Sequence, residues 1–347
     1  MKRIFPLFAC LMATLMVACN NSESNTTKMD NSKSDRFPIL IGKLYGFIDH
    51  TGTIIINPQF DDAWPFSEGL ACVKNGDKWG FIDKEGNFVI NPQFDLAWSF
   101  SEGLACVEIG DKWGFIDRTE KYVINPQFDY AWSFSEGLAL VRIGDWDDCR
   151  WGYIDKTGKY VINPQFEDAW PFSEGLALVE TGKKWGYIDK TGKYVINPQF
   201  DYAESYSEGL ACVNIDNKYG YIDKTGKYFI NPQFDYAGSF SESLACVRIG
   251  EKDGYIDKVG KQVINPQFDI AGYYYEGLAG VCIREKWGYI DKTGKYVINP
   301  QFDHAGSFSE GLARVIIDKS KIGYINKAGT IVCTGELTRQ DELLMSR

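Results

Sequence analysis

Carboxylates are the most frequent chemically capable groups in this sequence, and they recur on a fixed beat. A Ser-Glu-Gly triplet or a close variant carries Glu68, Glu102, Glu136, Glu174, Glu208, Glu242, Glu276 and Glu310, and most copies hold a second acid after Tyr-Ile or Phe-Ile, as at Asp83 and Asp189. Paired carboxylates can exchange protons with a substrate or bind calcium. Acids found in every copy at turn positions are better explained by the turns themselves. The Asp-Lys-Thr-Gly-Lys loop also lacks the closely spaced oxygen ligands of a calcium loop, so no metal and no other cofactor is implied. The two histidines, His50 and His304, fall at unrelated places, one in a hairpin turn and one in a connector. A catalytic centre needs a unique, mutually positioned group. No residue here is assigned a catalytic role, and the chain reads as a non-enzyme.

Variation between copies is more informative than their sameness. Trp64, Trp98, Trp132 and Trp170 occupy a place that later copies give to Glu204, Gly238, Gly272 and Gly306, whereas the neighbouring Phe66, Phe100, Phe134, Phe172, Tyr206, Phe240, Tyr274 and Phe308 stay aromatic throughout. A place that accepts Trp or Gly is not a core requirement. The four Trp therefore form a candidate stripe that stacks on a sugar, peptide or protein, the alternative being packing between connectors. A second candidate contact is the enlarged hairpin Gly144–Trp151, where Trp146, Asp147 and Asp148 are inserted, because insertions map to loops and loops carry recognition. Three departures, Glu120 and Ser243 for glycine and Asp253 for Trp, mark Ser243–Asp253 as the expected weakest joint.

The elements that must position these residues are copies of one unit. A dipeptide ending in glycine recurs from Gly46 to Gly323 at steps of 34 residues, with one step of 38 and a last of 35. Between those glycines the same sentence returns: Trp185-Gly186-Tyr187-Ile188-Asp189, Lys190-Thr191-Gly192-Lys193, Tyr194-Val195-Ile196, Asn197-Pro198-Gln199-Phe200, then Ser207-Glu208-Gly209-Leu210-Ala211-Cys212-Val213. This pattern resembles the WG-repeat family of bacterial proteins over about Ile39 to Val332, a resemblance that implies little about activity. Read from the residues alone, each unit holds three short strands bounded by turn chemistry, with Pro198 expected to end the third. Both strand faces are apolar, so neighbouring meanders must cover one another. The fold class is all-β: a tandem array of three-stranded meanders stacked into an open superhelix or solenoid, the alternative being a closed β-propeller. Complete meanders at both ends, and nine units against the usual four to eight blades, favour the open form.

The remaining segments set the compartment. Lys2 and Arg3 precede an apolar run closing on Leu15-Met16-Val17-Ala18-Cys19, which resembles the lipobox of bacterial lipoproteins and implies a signal peptide over 1–19 with lipidation at Cys19. Asn20 after the cysteine points to the outer membrane. Residues 20–36 are polar and rich in Ser and Asn, and read as a disordered tether. The repeat domain follows over 37–334, and 335–347 is expected as a terminal cap, in the form of a short helix using Leu337, Leu343 and Leu344. The whole chain carries 37 basic and 47 acidic residues, which disfavours nucleic acid as a partner. Seven cysteines follow Cys19, an odd set, and are expected as free, largely buried thiols. The sequence-level function is a monomeric, non-enzymatic binding or scaffolding lipoprotein of the bacterial envelope, held to the membrane by lipid and offering its repeats to a protein or carbohydrate. A structural spacer is the alternative and a hydrolase the third reading.

Overall fold

The computed structural model of the chain describes residues 36–144, 148–318 and 321–336. Within them every regular element is a β-strand, and the strands fall into nine antiparallel sheets, one per copy. In the second copy they run Asp62–Ser67, Leu70–Asn75, Lys78–Ile82 and Phe88–Phe94, hydrogen-bonded in that order. The three expected strands are present. The connector adds a fourth ahead of them, often only two residues long, as where Tyr130–Ala131 pairs with Arg142 and Val141.

Local chemistry shapes the corners. Asp189 Oδ1 accepts hydrogen bonds from Thr191 N at 2.8 Å, Thr191 Oγ1 at 2.6 Å and Lys193 N at 3.1 Å. These donors, the Thr191 hydroxyl first, hold the Asp189 carboxyl below its usual range. Pro198 does not end its strand, contrary to expectation: Tyr194–Phe200 runs through Asn197-Pro198-Gln199. This is an edge strand, where a missing N–H breaks no ladder bond. The segment bulges, so that Trp185 pairs with Phe200 while Tyr187 pairs with Ile196. The bulge passes directly over Gly186, where a Cβ would lie 2.6 Å from both Ile196 O and Pro198 N. The fixed glycine of the Trp-Gly dipeptide is thus a steric demand of the Asn-Pro-Gln arch.

Each apolar cluster draws on two consecutive sheets. Cys72, Phe81 and Ile90 pack with Phe100, Ala105 and Ile116 of the next copy, and at the centre the Phe81 and Phe100 rings meet edge to face at 4.9 Å. Equivalent pairs from Phe47–Phe66 to Tyr289–Phe308 recur at 4.8–5.0 Å. Such geometry adds about 0.5–1.5 kcal/mol per pair beyond the area buried.

The stack closes on itself, which corrects the expected open superhelix. Gly86 of the second sheet lies on Ile56 of the first, and Gly192 on Ile162 and Gly329 on Ile298 do the same further along. Gly52 of the first sheet sits in that way on the last, with the Val332 carbonyl and Cys333 against it. Tyr324 donates to Pro38 O at 2.6 Å, and its ring lies 6.3 Å from Phe37. The architecture is a nine-bladed β-propeller. Closure wins because an open stack leaves two apolar end faces in water, whereas a ring covers both. Gly335 and Glu336, expected in a helical cap, instead finish the last strand, Ile331–Glu336. The rest of that cap (337–347), the signal segment with Cys19 and the tether up to residue 35 lie outside the described residues.

The Ser-Glu-Gly motif does more than turn the chain. Ser67 Oγ donates to Phe100 O of the next blade at 2.7 Å. Glu68, at φ +51°, accepts from Gly103 N at 3.1 Å and pairs with the Arg118 guanidinium at 3.1 Å. The clasp recurs, for example as Ser135 to Phe172 O, Glu136 to Gly175 N, and Lys190 to Glu136. Its ion pairs are exposed and individually weak, but they repeat in one register around the ring.

The expected weakest joint is partly compensated. Asp253, only 2% exposed, replaces the strand Trp, yet Arg248 holds it through two bonds of 2.6 and 3.0 Å and the Ala271 amide of the next blade donates to it at 2.9 Å. A buried carboxylate so satisfied is tolerated. Ser243 is not relieved: it keeps the glycine conformation at φ +71° while its amide still donates to Glu208 at 3.0 Å. Ser243→Gly should therefore stabilise the protein by about 1 kcal/mol, read as a higher urea midpoint. An unchanged or lower midpoint would show that no strain is stored there.

Candidate functional site

The first strand of each four-stranded blade lies at the ring's inner edge. Equivalent side chains there come into ring contact from blade to blade, as Trp98 and Trp132 do at 6.4 Å, whereas fourth-strand residues such as Val89 and Phe229 are exposed. At this edge one backbone bond is kept whatever the side chain. The amide donates across the sheet from Trp98 to Cys106 O at 2.9 Å, from Glu204 to Cys212 O at 2.9 Å, from Gly238 to Cys246 O at 3.0 Å and from Gly306 to Arg314 O at 2.8 Å. The main chain is secured without the side chain, so the side chain is free to vary.

Four consecutive blades spend that freedom on tryptophan. Centroids of Trp64 and Trp98 lie 5.9 Å apart, those of Trp98 and Trp132 6.4 Å with planes parallel to within 2°, and those of Trp132 and Trp170 6.4 Å. All four are partly buried. Trp79 and Trp113 extend the array behind them. Trp98 Nε1 is buried with no hydrogen-bond acceptor among the described residues.

The structure links this arc to the enlarged hairpin. Tyr130 meets Trp132 at 6.1 Å and Trp151 at 6.0 Å, and the Arg142 guanidinium lies 5.7 Å from the Tyr130 centroid and 5.9 Å from that of Trp151, within cation–π range. Trp151 belongs to the strand that leaves the hairpin. Asp148, with 91% of its side chain exposed, pairs with Arg150 at 3.5 Å. Trp146 and Asp147 lie outside the described residues.

On the later blades the inner edge is polar, and sequence reasoning missed this. Glu204 Oε2 accepts from Ser239 Oγ of the next blade at 2.5 Å, and Oε1 lies 3.5 Å from the Tyr202 hydroxyl. Tyr273, one blade further, lies over Gly238, where a Cβ would come within 2.9 Å of its ring, and hydrogen-bonds Tyr236. Burial raises the Glu204 carboxyl above its ordinary range, against the opposing Ser239 bond. The available signal was Tyr273 itself, the one aromatic at a place that Ser or Pro fills elsewhere, as at Ser99 and Pro171. The inner edge thus joins an indole arc to a carboxyl set among hydroxyls, a combination suited to stacking and hydrogen bonding. Among the described residues no group of three or more His, Cys, Asp or Glu could hold a metal.

The cysteines serve packing. Cys72, Cys106, Cys212, Cys246 and Cys282 are free and buried, with Cys72 Sγ 3.6 Å from Ala97 O and Cys212 Sγ 3.2 Å from Ala237 O. Burial pushes the Cys72 and Cys212 thiols well above their usual range, which makes them poor nucleophiles.

The family model described as "WG containing repeat" matches eight consecutive windows, at residues 45–79, 79–113, 113–145, 151–185, 185–219, 219–252, 254–287 and 287–319. The chain belongs to that family. The matched windows share the repeat length of the blades but are offset from them, most running from the Trp-Gly strand of one blade to that of the next. No curated protein matches the chain. Among solved structures, a crystal structure of a eukaryotic initiation factor aligns with a TM-score of 0.62 at 10% identity, over 88% of this chain and 96% of that one. Saccharomyces cerevisiae Sqt1 aligns at 0.42 and 8% identity, over 78% and 93% of the two chains. BamB from Moraxella catarrhalis aligns at 0.38 and 9%, over 90% and 98%. The first of these likenesses shows a shared fold.

Glu204 gives this WG-repeat propeller a pH signature. Its raised folded pKa means that the folded state holds the proton more tightly, so its effect on stability is absent below the unfolded value of about 4.3 and becomes a growing penalty as pH rises above it. Glu204→Gln should accordingly match the parent near pH 4 and exceed it increasingly toward pH 7 in urea unfolding. A difference independent of pH would remove Glu204 as a strained acid.

Proposed function

We propose that this WG-repeat propeller is a non-enzymatic binding or scaffolding lipoprotein of the bacterial envelope, held at the outer membrane through Cys19 and taking a protein or carbohydrate ligand on its inner edge. The observation that carries the reading is the register shared by Trp64, Trp98, Trp132 and Trp170. The blade backbone is complete with Glu or Gly there, so four successive indoles are more than the fold requires. Aromatic side chains concentrated on one partly exposed edge are the usual anchors of recognition. The lipobox-like Leu15–Cys19 segment supports the membrane attachment, and the acidic balance disfavours nucleic acid. Copies of one unit repeated around a ring also favour presentation over catalysis.

A second reading, a structural spacer of the envelope, draws on the parallel packing of Trp98 against Trp132, which makes each indole a partner for the next. The two separate in one experiment. The body from Phe37 onward, and a variant with Trp64, Trp98, Trp132 and Trp170 all changed to Gly, are compared for capture of envelope proteins and immobilised glycans. Four native blades already carry Glu or Gly at this place, so the variant should keep its β-sheet circular dichroism, with a lowered melting temperature from lost indole packing. Capture should fall at least about tenfold, the equivalent of losing one hot-spot contact of about 1.4 kcal/mol. Undiminished capture would place binding elsewhere, and no specific capture by the parent would favour the spacer.

A further inference from the structure

A row of three side chains crosses one face of each four-stranded blade, one residue pair back from the hairpin between its second and third strands. In the fourth blade the row reads Tyr130, Arg142 and Trp151, each directly opposite the next. In the fifth it reads Asp168, Glu180 and Trp185. Other rows that hold an acid also answer it. Asp62 faces Lys74 in the second blade, Glu108 accepts from the Trp113 indole in the third, and Asp253 takes two bonds from Arg248 in the seventh. Among the described residues, the fifth blade alone sets two acids opposite each other with no cation in the row. Like charges so placed on neighbouring strands cost stability.

A second departure brings a third acid to the same place. In the blades on either side, a hairpin Lys pairs with the Asp that leads into the next blade, Lys112 with Asp129 and Lys184 with Asp201. The enlarged hairpin interrupts this series. Arg150, in the Lys place, pairs with Asp148 instead, and Glu167, in the Asp place, forms no salt bridge among the described residues. The Glu167 carboxylate accepts from the Gly182 amide at 3.0 Å, in the hairpin that follows Glu180. Burial, then the charges of Asp168 and Glu167, raise the Glu180 carboxyl above its ordinary range, with Lys183 the cation that opposes them. Burial likewise raises the Asp168 carboxyl, against the bond from the Ala169 amide.

The aromatic surroundings are of the kind that seat a cation. One blade back, in the same row, the protein's own Arg142 guanidinium rests 5.7 Å from the Tyr130 centroid and 5.9 Å from that of Trp151. Trp185 stands in the place of Trp151, partly exposed, and packs on the same apolar cluster as Trp170, the last indole of the arc. The fifth blade thus repeats this aromatic setting with carboxyls where the fourth has a tyrosine and a cation. No group of three or more acids, His or Cys among the described residues could hold a metal, so an organic cation is what the sector suits. We propose that the face from the enlarged hairpin to the fifth-blade row docks a cationic segment of a partner protein, its arginine or lysine side chains lying against Trp185 and pairing with Asp168 and Glu180. Charge complementarity selects this occupant: a neutral glycan leaves both facing carboxyls unanswered, and an anionic partner is repelled. The proposal rests on the reading of the ring as a binding protein and narrows its ligand.

Fluorescence anisotropy with a labelled peptide of alternating Gly and Arg, and with its Gly-Glu counterpart, tests the docking face on the full chain. The arginine peptide should bind at least about tenfold tighter than the glutamate peptide, and Asp168→Asn/Glu180→Gln should weaken it at least about tenfold. Glu85→Gln/Glu251→Gln, which removes the same charge from exposed sites elsewhere, should change it by less than about twofold. The acid-pair variant relieves a like-charge contact and should melt no lower than the parent. If it melts lower, Glu180→Gln alone, which has no side-chain hydrogen bond to lose among the described residues, carries the comparison. Equal binding by parent and acid-pair variant overturns the proposal, as does an equal loss in the charge-matched control. A parent that captures envelope proteins or glycans through its four arc tryptophans yet ignores the arginine peptide also overturns it, while leaving the binding reading intact. Arginine-peptide binding lost in the acid-pair variant but kept when the four arc tryptophans are changed to Gly supports this docking face and removes the arc.

Discussion

Every blade of this protein has two apolar faces and no means of covering either alone. From that constraint follow the repeat, the ring and the absence of any blade that stands by itself. The aromatic pair at each junction, Phe81 with Phe100 or Tyr187 with Tyr206, marks where cover is most complete, and the Ser-Glu-Gly clasp fixes the angle at which one sheet meets the next. A residue's contribution here depends less on its own blade than on what the following blade lays over it. Ser243 keeps a glycine's conformation while its amide is still clasped by Glu208 of the preceding blade.

Much of this was legible in the residues. Strand positions followed from turn chemistry and from the two-sided apolar pattern, and the demand that meanders cover one another followed from Leu70, Cys72, Ala71 and Val73 all being apolar. The closed ring was not legible, because closure depends on the small rotation between successive sheets, which is set by packing around Gly86 on Ile56 and its equivalents and leaves no mark in the spacing of the units. Pro198 misled for a related reason. Proline ends a strand where its missing N–H would break a ladder, but on an outer edge it costs no ladder bond, and the arch it helps to form is what requires Gly186 beneath it. The role of the Ser-Glu-Gly acids was half visible: their turn conformation could be inferred, their reach into the next blade could not.

The inner edge shows the same division. The Trp-to-Gly variation pointed to a place where the side chain is free, and the conserved amide-to-carbonyl bond at that place supplies the reason. The polar cluster of Glu204, Ser239 and Tyr273 was hidden because its members come from three different copies and meet only after the ring forms. In a repeat protein, individuality of this kind arises when single departures in neighbouring units fall on the same radius, so that a surface built from nearly identical parts still acquires one aromatic side and one carboxyl-bearing side. The enlarged hairpin before Trp151 joins the aromatic side through Tyr130, which gives the ring a direction that the unit alone lacks.

The central claim is that the blades shield one another around a closed circle. Amide hydrogen exchange across the whole ring tests it most directly, by comparing matched second-strand amides in the first, fifth and ninth blades, such as those of Ile39, Val179 and Val315. A closed ring predicts protection factors of one magnitude in all three, because no blade is terminal. Protection that decays steadily from the fifth blade toward the first and ninth would be the fraying of an open stack, and would contradict the account.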